Sequence, residues 1–220
     1  MLASVSSIPV SNGPAFKRLP RAVREQQMLD SAVRVFSRRG YHAANMDEIA
    51  EDAGISKPMV YAYLGTKEDL FLACVHREGA RMLEAIVDVV SPELPADQQL
   101  WRGLKAFYGF VGDHRDGWAV LYRQARGRQP FVGEIARLRE QIIGVVAGMF
   151  ARAVAAAGRE AKQGDLMSTA NALVGAAESL ADWLADHPEA DPGRTATRMM
   201  NIAWLGAGQL LHGQVWRPDE

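Results

Sequence analysis

Residues 45–70 read NMDEIAEDAGISKPMVYAYLGTKEDL, and the arrangement of caps, apolar positions and a glycine in this stretch decides the fold. Asn45 is a residue type that caps helices, and Glu48 lies three positions on, where a capping box has its acid. Gly54 suits a tight turn because glycine tolerates a left-handed backbone. Ser56 stands where it could cap a second helix. The stretch therefore predicts two short helices joined by a sharp turn, a helix-turn-helix.

The second helix of this motif carries chemistry suited to nucleic acid on its outer side. Its inner side holds Val60 and Leu64, which are four residues apart. The outer positions are Lys57, Met59, Tyr61 and Tyr63. Lysine offers charge to a phosphate or a guanine edge, and tyrosine hydroxyls donate to phosphates. We predict DNA binding here and not a purely structural corner, with one of the two tyrosines partly packed against the preceding helix.

The residues before this motif complete a three-helix unit. Leu29, Ala32, Val33 and Phe36 follow the i, i+3, i+4, i+7 spacing of one buried helical stripe. Gly40 is expected to end this helix. The unit spans residues 17–66, and residues 1–16 are predicted to be a disordered tail.

These residues resemble the TetR family of bacterial transcriptional regulators over roughly residues 21–75. The matching positions are Met28-Leu29-Asp30-Ser31-Ala32, Phe36, Gly40-Tyr41, Ile49-Ala50, Ala53-Gly54-Ile55-Ser56, Tyr61 and Lys67-Glu68-Asp69-Leu70. The chain departs from the family at Asn45, often Thr or Ser, at Pro58, often Gly, and at Tyr63-Leu64, often His-Phe.

The resemblance assigns roles to individual side chains. By resemblance, phosphates are contacted by Asn45, Tyr61, Tyr63 and Lys67. By resemblance, Ser56, Lys57 and Met59 face bases or the adjoining backbone. An alternative for Lys67 is a solvated lysine at the start of a helix.

The composition of the chain indicates its cellular compartment and the kind of partner it binds. The 220 residues carry a net charge of −1, but residues 17–67 hold nine Lys/Arg against six Asp/Glu, a balance of +3 on an otherwise acidic chain. A modestly basic head on an acidic body is consistent with a local DNA footprint. The single cysteine, Cys74, allows no intramolecular disulfide. With no apolar run long enough to span a membrane, we expect a cytoplasmic protein.

Residues 67–220 are predicted to form six further helices, giving an all-α chain with a C-terminal ligand-binding and dimerisation domain. The middle helices hold seven aromatic residues, Trp101, Phe107, Tyr108, Phe110, Trp118, Tyr122 and Phe131, and the resemblance implies an enclosed effector there. The pocket candidates are Phe107, Trp118, Tyr122 and Trp183. Ordinary core packing is the alternative for each. Few polar groups are available, so an apolar or aromatic ligand is predicted.

The last two helices carry small residues at helical spacing. By resemblance they pair with those of a second subunit in a four-helix bundle, through Ala170, Val174, Ala177, Ala181, Ala203, Gly206, Ala207 and Leu210. The alternative is a core within one chain. A two-fold dimer suits a palindromic operator, whose half-sites lie about 34–36 Å apart.

The function predicted from these patterns is a homodimeric repressor that leaves a palindromic operator when a small, largely apolar ligand binds. The alternative is a DNA-binding interaction protein whose C-terminal body binds a protein partner. The five histidines show no metal-ligand spacing, and no catalytic set or glycine-rich phosphate loop stands out. We therefore predict no enzyme activity, no metal and no cofactor.

Overall fold

The computed structural model describes residues 20–126 and 129–211, with side chains described through residue 204. Within these ranges every regular element is a helix and there is no strand, which confirms the predicted all-α fold. The helices are α1 (Arg21–Ala43), α2 (Met46–Asp52), α3 (Lys57–Leu64), α4 (Lys67–Val87), α5 (Ala96–Asp113), α6 (Arg115–Trp118), α7 (Val132–Ala156), α8 (Gln163–Asp186) and α9 (Pro192–Leu211). A π-helical segment, Ala119–Ala125, continues α6. The predicted tail, residues 1–16, lies outside the described residues.

The helix-turn-helix forms α2 and α3, and most of its predicted signals act as expected. The Asn45 side chain accepts a hydrogen bond from the Glu48 backbone N–H at 2.7 Å. Gly54 has a φ of 65° and turns the chain between the two helices. Two details were wrong. The Ser56 side chain makes no cap hydrogen bond, and the Glu48 carboxylate pairs with Arg39 at 3.0 Å and does not close a capping box.

Ion pairs between α1 and α2 hold the helix-turn-helix against its first helix. The Asp52 carboxylate accepts from the Arg34 guanidinium at 2.6 Å and lies 3.4 Å from that of Arg38. Burial raises the pKa of Asp52, but the hydrogen bonds from Arg34 and Ser31 and the two positive charges lower it by more, so the pKa is lowered overall. The carboxylate stays charged at neutral pH, and these arginines therefore pair with α2.

A cluster of aromatic rings joins the helix-turn-helix to the helical body. Gly40 interrupts the α1 backbone with a φ of 76°, as predicted, and the chain turns there. Tyr41 follows, and its ring lies 5.0 Å from that of Phe71 on α4 and 5.2 Å from that of Phe131. Phe36 meets Phe71 edge to face at 4.9 Å. We call Phe36, Tyr41, Phe71 and Phe131 the ring cluster.

A buried carboxylate strengthens the same junction. Glu78 on α4 is 2% exposed and pairs with Arg77 at 2.7 Å and with Arg81 at 3.3 Å. Arg77 also reaches Asp30 on α1 at 2.7 Å. A Cβ on Gly117 would lie 2.5 Å from the Glu78 carboxylate, so the close approach of α6 to α4 requires glycine at this position.

The body contains the six further helices expected after residue 66. Between α5 and α6 only His114 leaves helical geometry, and α6 begins at Arg115. In the body, α5 packs mainly on α9, and α7 packs on α8. No helix in the described part of the chain is long and apolar enough to cross a membrane.

Removing one ring from the ring cluster should destabilise the whole chain. Phe71 is fully buried, so Phe71→Ala should lower the free energy of unfolding by about 3–5 kcal/mol. Denaturant unfolding followed by circular dichroism measures this. Val23→Ala on α1, where the side chain is exposed, is the control and should change it by less than about 0.5 kcal/mol. Equal effects of the two substitutions would contradict the assigned role of the cluster.

Candidate nucleic-acid interface and internal cavity

The helix α3 has one buried side and one exposed side, as predicted. Val60 and Leu64 are buried in the core. Met59 is 40% exposed and Tyr61 is 45% exposed. Lys57 stands exposed at the first residue of the helix. The free side of α3 therefore offers an ammonium group, a thioether and a phenol hydroxyl.

The Lys57 ammonium is paired in this structure. Its Nζ donates to the Asp47 carboxylate, from the first turn of α2, at 2.9 Å. The hydrogen bond and the charge of Asp47 raise the pKa of Lys57, so the lysine is fully charged at neutral pH. Both side chains are exposed, and such surface pairs are weakly held. A phosphate oxygen could therefore replace Asp47 as the partner.

Two other predicted DNA contacts also have partners in the protein. Asn45 uses its Oδ1 to cap α2. Lys67 donates from Nζ to the His42 carbonyl at 3.1 Å and lies 4.9 Å from the centre of the Tyr41 ring. Partial burial lowers the pKa of Lys67. Lys67 thus ties the start of α4 to the end of α1, which neither sequence alternative described.

The two tyrosines of α3 have different surroundings. Tyr63 is half-buried against the core, and the Arg21 guanidinium lies 5.1 Å from the centre of its ring. Tyr61 is exposed. The expectation that one tyrosine would be partly packed is confirmed. The stacking also places Arg21, the first residue of α1, beside α3, whereas Lys17 and Arg18 lie outside the described residues.

The middle helices enclose an apolar cavity of about 100 Å³. Its walls come from α4, α5, α6, α7, α8 and the π-helical segment. The wall residues include Met82, Ile86, Val90, Leu100, Leu104, Phe107, Trp118, Tyr122, Ile142, Val146, Met149, Leu173, Val174 and Glu178. Three of the four pocket candidates from the sequence, Phe107, Trp118 and Tyr122, therefore meet in this wall.

One side of the cavity is aromatic and polar. The Trp118 and Tyr122 rings stack with centroids 4.1 Å apart, and Phe107 meets Trp118 edge to face at 5.6 Å. The Glu178 carboxylate lies in the same wall, and both its oxygens are 3.1 Å from the Arg139 Nε. Burial, and then Glu178, raise the pKa of Tyr122, so its hydroxyl stays protonated.

The fourth pocket candidate was wrong. Trp183 is 40% exposed and does not line the cavity. Its ring stacks on His187 at 4.2 Å, and the His187 Nδ1 lies 2.7 Å from the Trp183 carbonyl oxygen. The side chain lies on the outer side of α8 because position 183 is opposite the buried stripe of that helix.

The predicted interface stripe on α8 also needs correction. Its four residues are all buried inside the single chain, so they cannot face a second subunit: Ala170, Val174, Ala177 and Ala181. On α9, Ala203 is half-buried against the core. For Gly206, Ala207 and Leu210 the structure describes the helical backbone only. The alternative of an intrachain core therefore holds for the α8 positions.

The sequence reasoning missed four residues with structural roles at these sites: Asp47, Gln124, Glu178 and Arg139. Asp47 pairs with Lys57 across the helix-turn-helix. Gln124, in the π-helical segment, accepts from the Tyr41 backbone N–H at 3.3 Å through its Oε1. Gln124 is 83 residues from Tyr41, and no local pattern could reveal such a contact. It lies two residues from Tyr122, so one short segment contacts both the cavity and the helix-turn-helix.

Comparison with known proteins agrees with this architecture. Residues 28–74 match the family described as bacterial regulatory proteins, tetR family, and residues 96–206 match the tetracyclin repressor-like C-terminal domain. A TetR-like transcriptional regulator from Rhodococcus sp. RHA1 is 46% identical, with a TM-score of 0.76 over 87% of this chain and 99% of that one.

Two further relatives extend the comparison. The transcriptional activator FasR of Mycolicibacterium smegmatis is 27% identical over 92% of this chain and 91% of its own length. AibR, solved in complex with isovaleryl coenzyme A and operator DNA, shares the fold with a TM-score of 0.66 at 16% identity, over 81% of this chain and 97% of its own.

The first matched range contains the helix-turn-helix with α3, and the second contains most of the helical body that surrounds the cavity. The chain belongs to the TetR family and is a DNA-binding transcriptional regulator.

Proposed function

We propose that the protein is a cytoplasmic homodimeric repressor, which holds a palindromic operator through α3 of each subunit and is released by a small, largely apolar effector. The observation that carries the proposal is the π-helical segment. Its Tyr122 lines the cavity, and its Gln124 bonds to Tyr41 beside the helix-turn-helix. A movement of the cavity wall at Tyr122 would therefore be transmitted to the DNA-binding unit through Gln124.

For DNA, the proposal assigns Lys57, Tyr61 and Met59 to the groove. The exposed Tyr61 hydroxyl would donate to a phosphate and set the register, while Lys57 would exchange Asp47 for the DNA. Tyr63, Asn45, Ser56 and Lys67 lie at the edges of this surface and would contact the sugar-phosphate backbone. Phosphate contacts of this kind strengthen binding to all sequences alike.

For the effector, the enclosed apolar cavity supports a small molecule over the alternative in which the body binds only a protein partner. A volume of about 100 Å³ is below the roughly 300–1,000 Å³ of ordinary ligand sites. A ligand of more than a few heavy atoms would therefore push the wall outward. The shared fold of AibR, solved with both a ligand and operator DNA, supports such a pairing.

For the dimer, the exposed side of α8 replaces the stripe that was first predicted. Ala172, Ala176, Ser179 and Trp183 are all exposed and follow i, i+4, i+7, i+11 spacing, which places them on one face. Ile202 on α9 is 70% exposed. Small residues flanked by a tryptophan and an isoleucine suit close helix packing across a two-fold axis.

The sign of regulation is assigned as repression from the family resemblance, although the relative FasR is named an activator. The decisive experiment is binding of the full chain to the DNA that flanks its own gene, beside a scrambled duplex and at two salt concentrations. Two subunits on a palindromic footprint, with transcription in vitro reduced, support the proposal. Weak binding that is equal on both duplexes would overturn it.

Substitutions in the Lys57–Asp47 pair should change DNA affinity in opposite directions. Lys57→Ala should weaken binding to every sequence and reduce the slope of log affinity against log salt by about one, since one phosphate contact is lost. Asp47→Asn should tighten binding by up to about fivefold, because the lysine no longer has a competing partner. Fluorescence anisotropy over a salt series measures both.

The matched control for this pair is Lys105→Ala, an exposed lysine on α5, which should leave the salt slope unchanged. In a Lys57→Ala background, Asp47→Asn should have a smaller effect than in the native chain. An equal effect in both backgrounds would mean that Asp47 acts on DNA directly and not through Lys57.

Effector and operator should weaken each other by the same factor, because coupling between two binding sites is reciprocal. Gln124→Ala should reduce this factor while leaving operator affinity without effector within about twofold. Operator titrations with and without a bound cavity ligand, and the reverse titrations, measure the factor. An unchanged factor in Gln124→Ala would show that coupling runs through other contacts, such as Glu78 with its arginines.

A charge on the exposed side of α8 should separate the subunits. Ala176→Glu and Ile202→Glu should each shift the protein from dimer to monomer at micromolar concentration, because a carboxylate would be buried unpaired. Sedimentation equilibrium measures the mass. Ala136→Glu, an exposed alanine on α7, is the control and should remain dimeric. A dimer that survives both substitutions would place the interface elsewhere.

A further inference from the structure

Two hydrogen-bond donors in the cavity wall make no hydrogen bond of good geometry to any residue the structure describes, although the Glu178 carboxylate lies near enough to the Tyr122 hydroxyl to raise its pKa. They are the indole Nε1 of Trp118 and the hydroxyl oxygen of Tyr122, and both atoms are buried. Trp118 as a whole is 0% exposed. Buried donors in proteins are almost always hydrogen-bonded, so a pair left open in one wall calls for an explanation.

The two side chains that carry these donors lie side by side in the cavity wall. Trp118 and Tyr122 are four residues apart, and their rings stack at 4.1 Å with an interplanar angle of 14°. Both side chains line the cavity, whose other walls are mainly aliphatic. Apart from Glu178, the other polar side chain in the wall is Gln99, whose amide already donates to the Leu94 carbonyl and accepts from Arg152. The unpaired donors of the cavity therefore lie on the Trp118 and Tyr122 side chains.

The negative charge of Glu178 beside these donors restricts which acceptor group a ligand can place there. The Glu178 carboxylate lines the same wall, and its two oxygens are already paired with the Arg139 Nε at 3.1 Å. Arg139 also donates to Asn171 at 2.8 Å. An anionic ligand group placed at Tyr122 would face a buried carboxylate whose countercharge is already in use, and burying such a charge is costly.

We propose that the effector carries a neutral oxygen acceptor, such as a ketone, ester or lactone carbonyl, which accepts hydrogen bonds from Trp118 Nε1 and Tyr122 Oη while its apolar part fills the aliphatic side. The inference rests on the proposed effector cavity and names the chemical class that this cavity selects. It excludes free carboxylic acids and plain hydrocarbons as preferred ligands, because the former repel Glu178 and the latter leave both donors unpaired.

Three probes of similar size and different polarity test the inference: acetophenone, ethylbenzene and benzoate. Isothermal titration calorimetry with the full chain should show acetophenone binding roughly tenfold more tightly than ethylbenzene, since only the ketone satisfies the donors. Benzoate should bind more weakly than both. Equal affinities for acetophenone and ethylbenzene, or a preference for benzoate, would overturn the inference.

Substitutions that remove a donor but keep a ring sharpen the test. Tyr122→Phe and Trp118→Phe should each weaken acetophenone about three- to tenfold and leave ethylbenzene within about twofold. Tyr108→Phe is the matched control, because the Tyr108 hydroxyl donates to the Ala177 carbonyl at 3.2 Å and does not line the cavity. It should leave the ratio of the two affinities unchanged. Thermal unfolding of each variant checks that it is folded.

The possible failures are distinguishable. If the variants weaken both probes equally, the donors have only a packing role, and this inference falls while the effector cavity stands. If none of the three probes binds, the inference and the cavity part of the proposed function fall together. Operator binding is measured separately and is unaffected by either result.

Discussion

The packing of the Tyr41 ring against Phe36, Phe71 and Phe131 is the contact on which the rest of the structure depends. Tyr41 follows the glycine that kinks α1 three residues before its end, so its ring anchors the segment that leads into α2. The rings it meets belong to α4 and to the residue preceding α7. This packing adds to the buried apolar contacts between α1 and α4, such as those of Met28, Leu29 and Cys74, whereas exposed ion pairs contribute little each.

The charged side chains of the DNA-binding unit have two different roles. Arg34, Arg38 and Arg39 of α1 pair with carboxylates of α2, so these three positive charges hold helices together. Lys57 is paired too, but only with an exposed carboxylate. Because that pair is weak and open to solvent, it could exchange for a phosphate without any rearrangement of the helices.

Sequence reasoning found more of the fold than of the site. The cap at Asn45, the turn at Gly54 and the buried stripe of α1 are local features with fixed spacing, and all form as expected. The cavity was found through its aromatics, but Glu178, Arg139 and Gln124 were missed. Each of these bonds to residues 32 or more positions away, and contacts at such separation leave no local pattern.

The sequence by itself determined the all-α chain and the helix-turn-helix, because helical periodicity, capping and turn chemistry depend on residues that are close together in the chain. The TetR family came from the resemblance carried by residues 21–75. Only the tertiary structure decided which face of α8 is internal. Both faces carry small residues, Ala170 and Ala181 on one and Ala172 and Ala176 on the other, so composition could not separate them. The packing of α5 and α7 against α8 makes that choice, and it also leaves Trp183 outside the cavity.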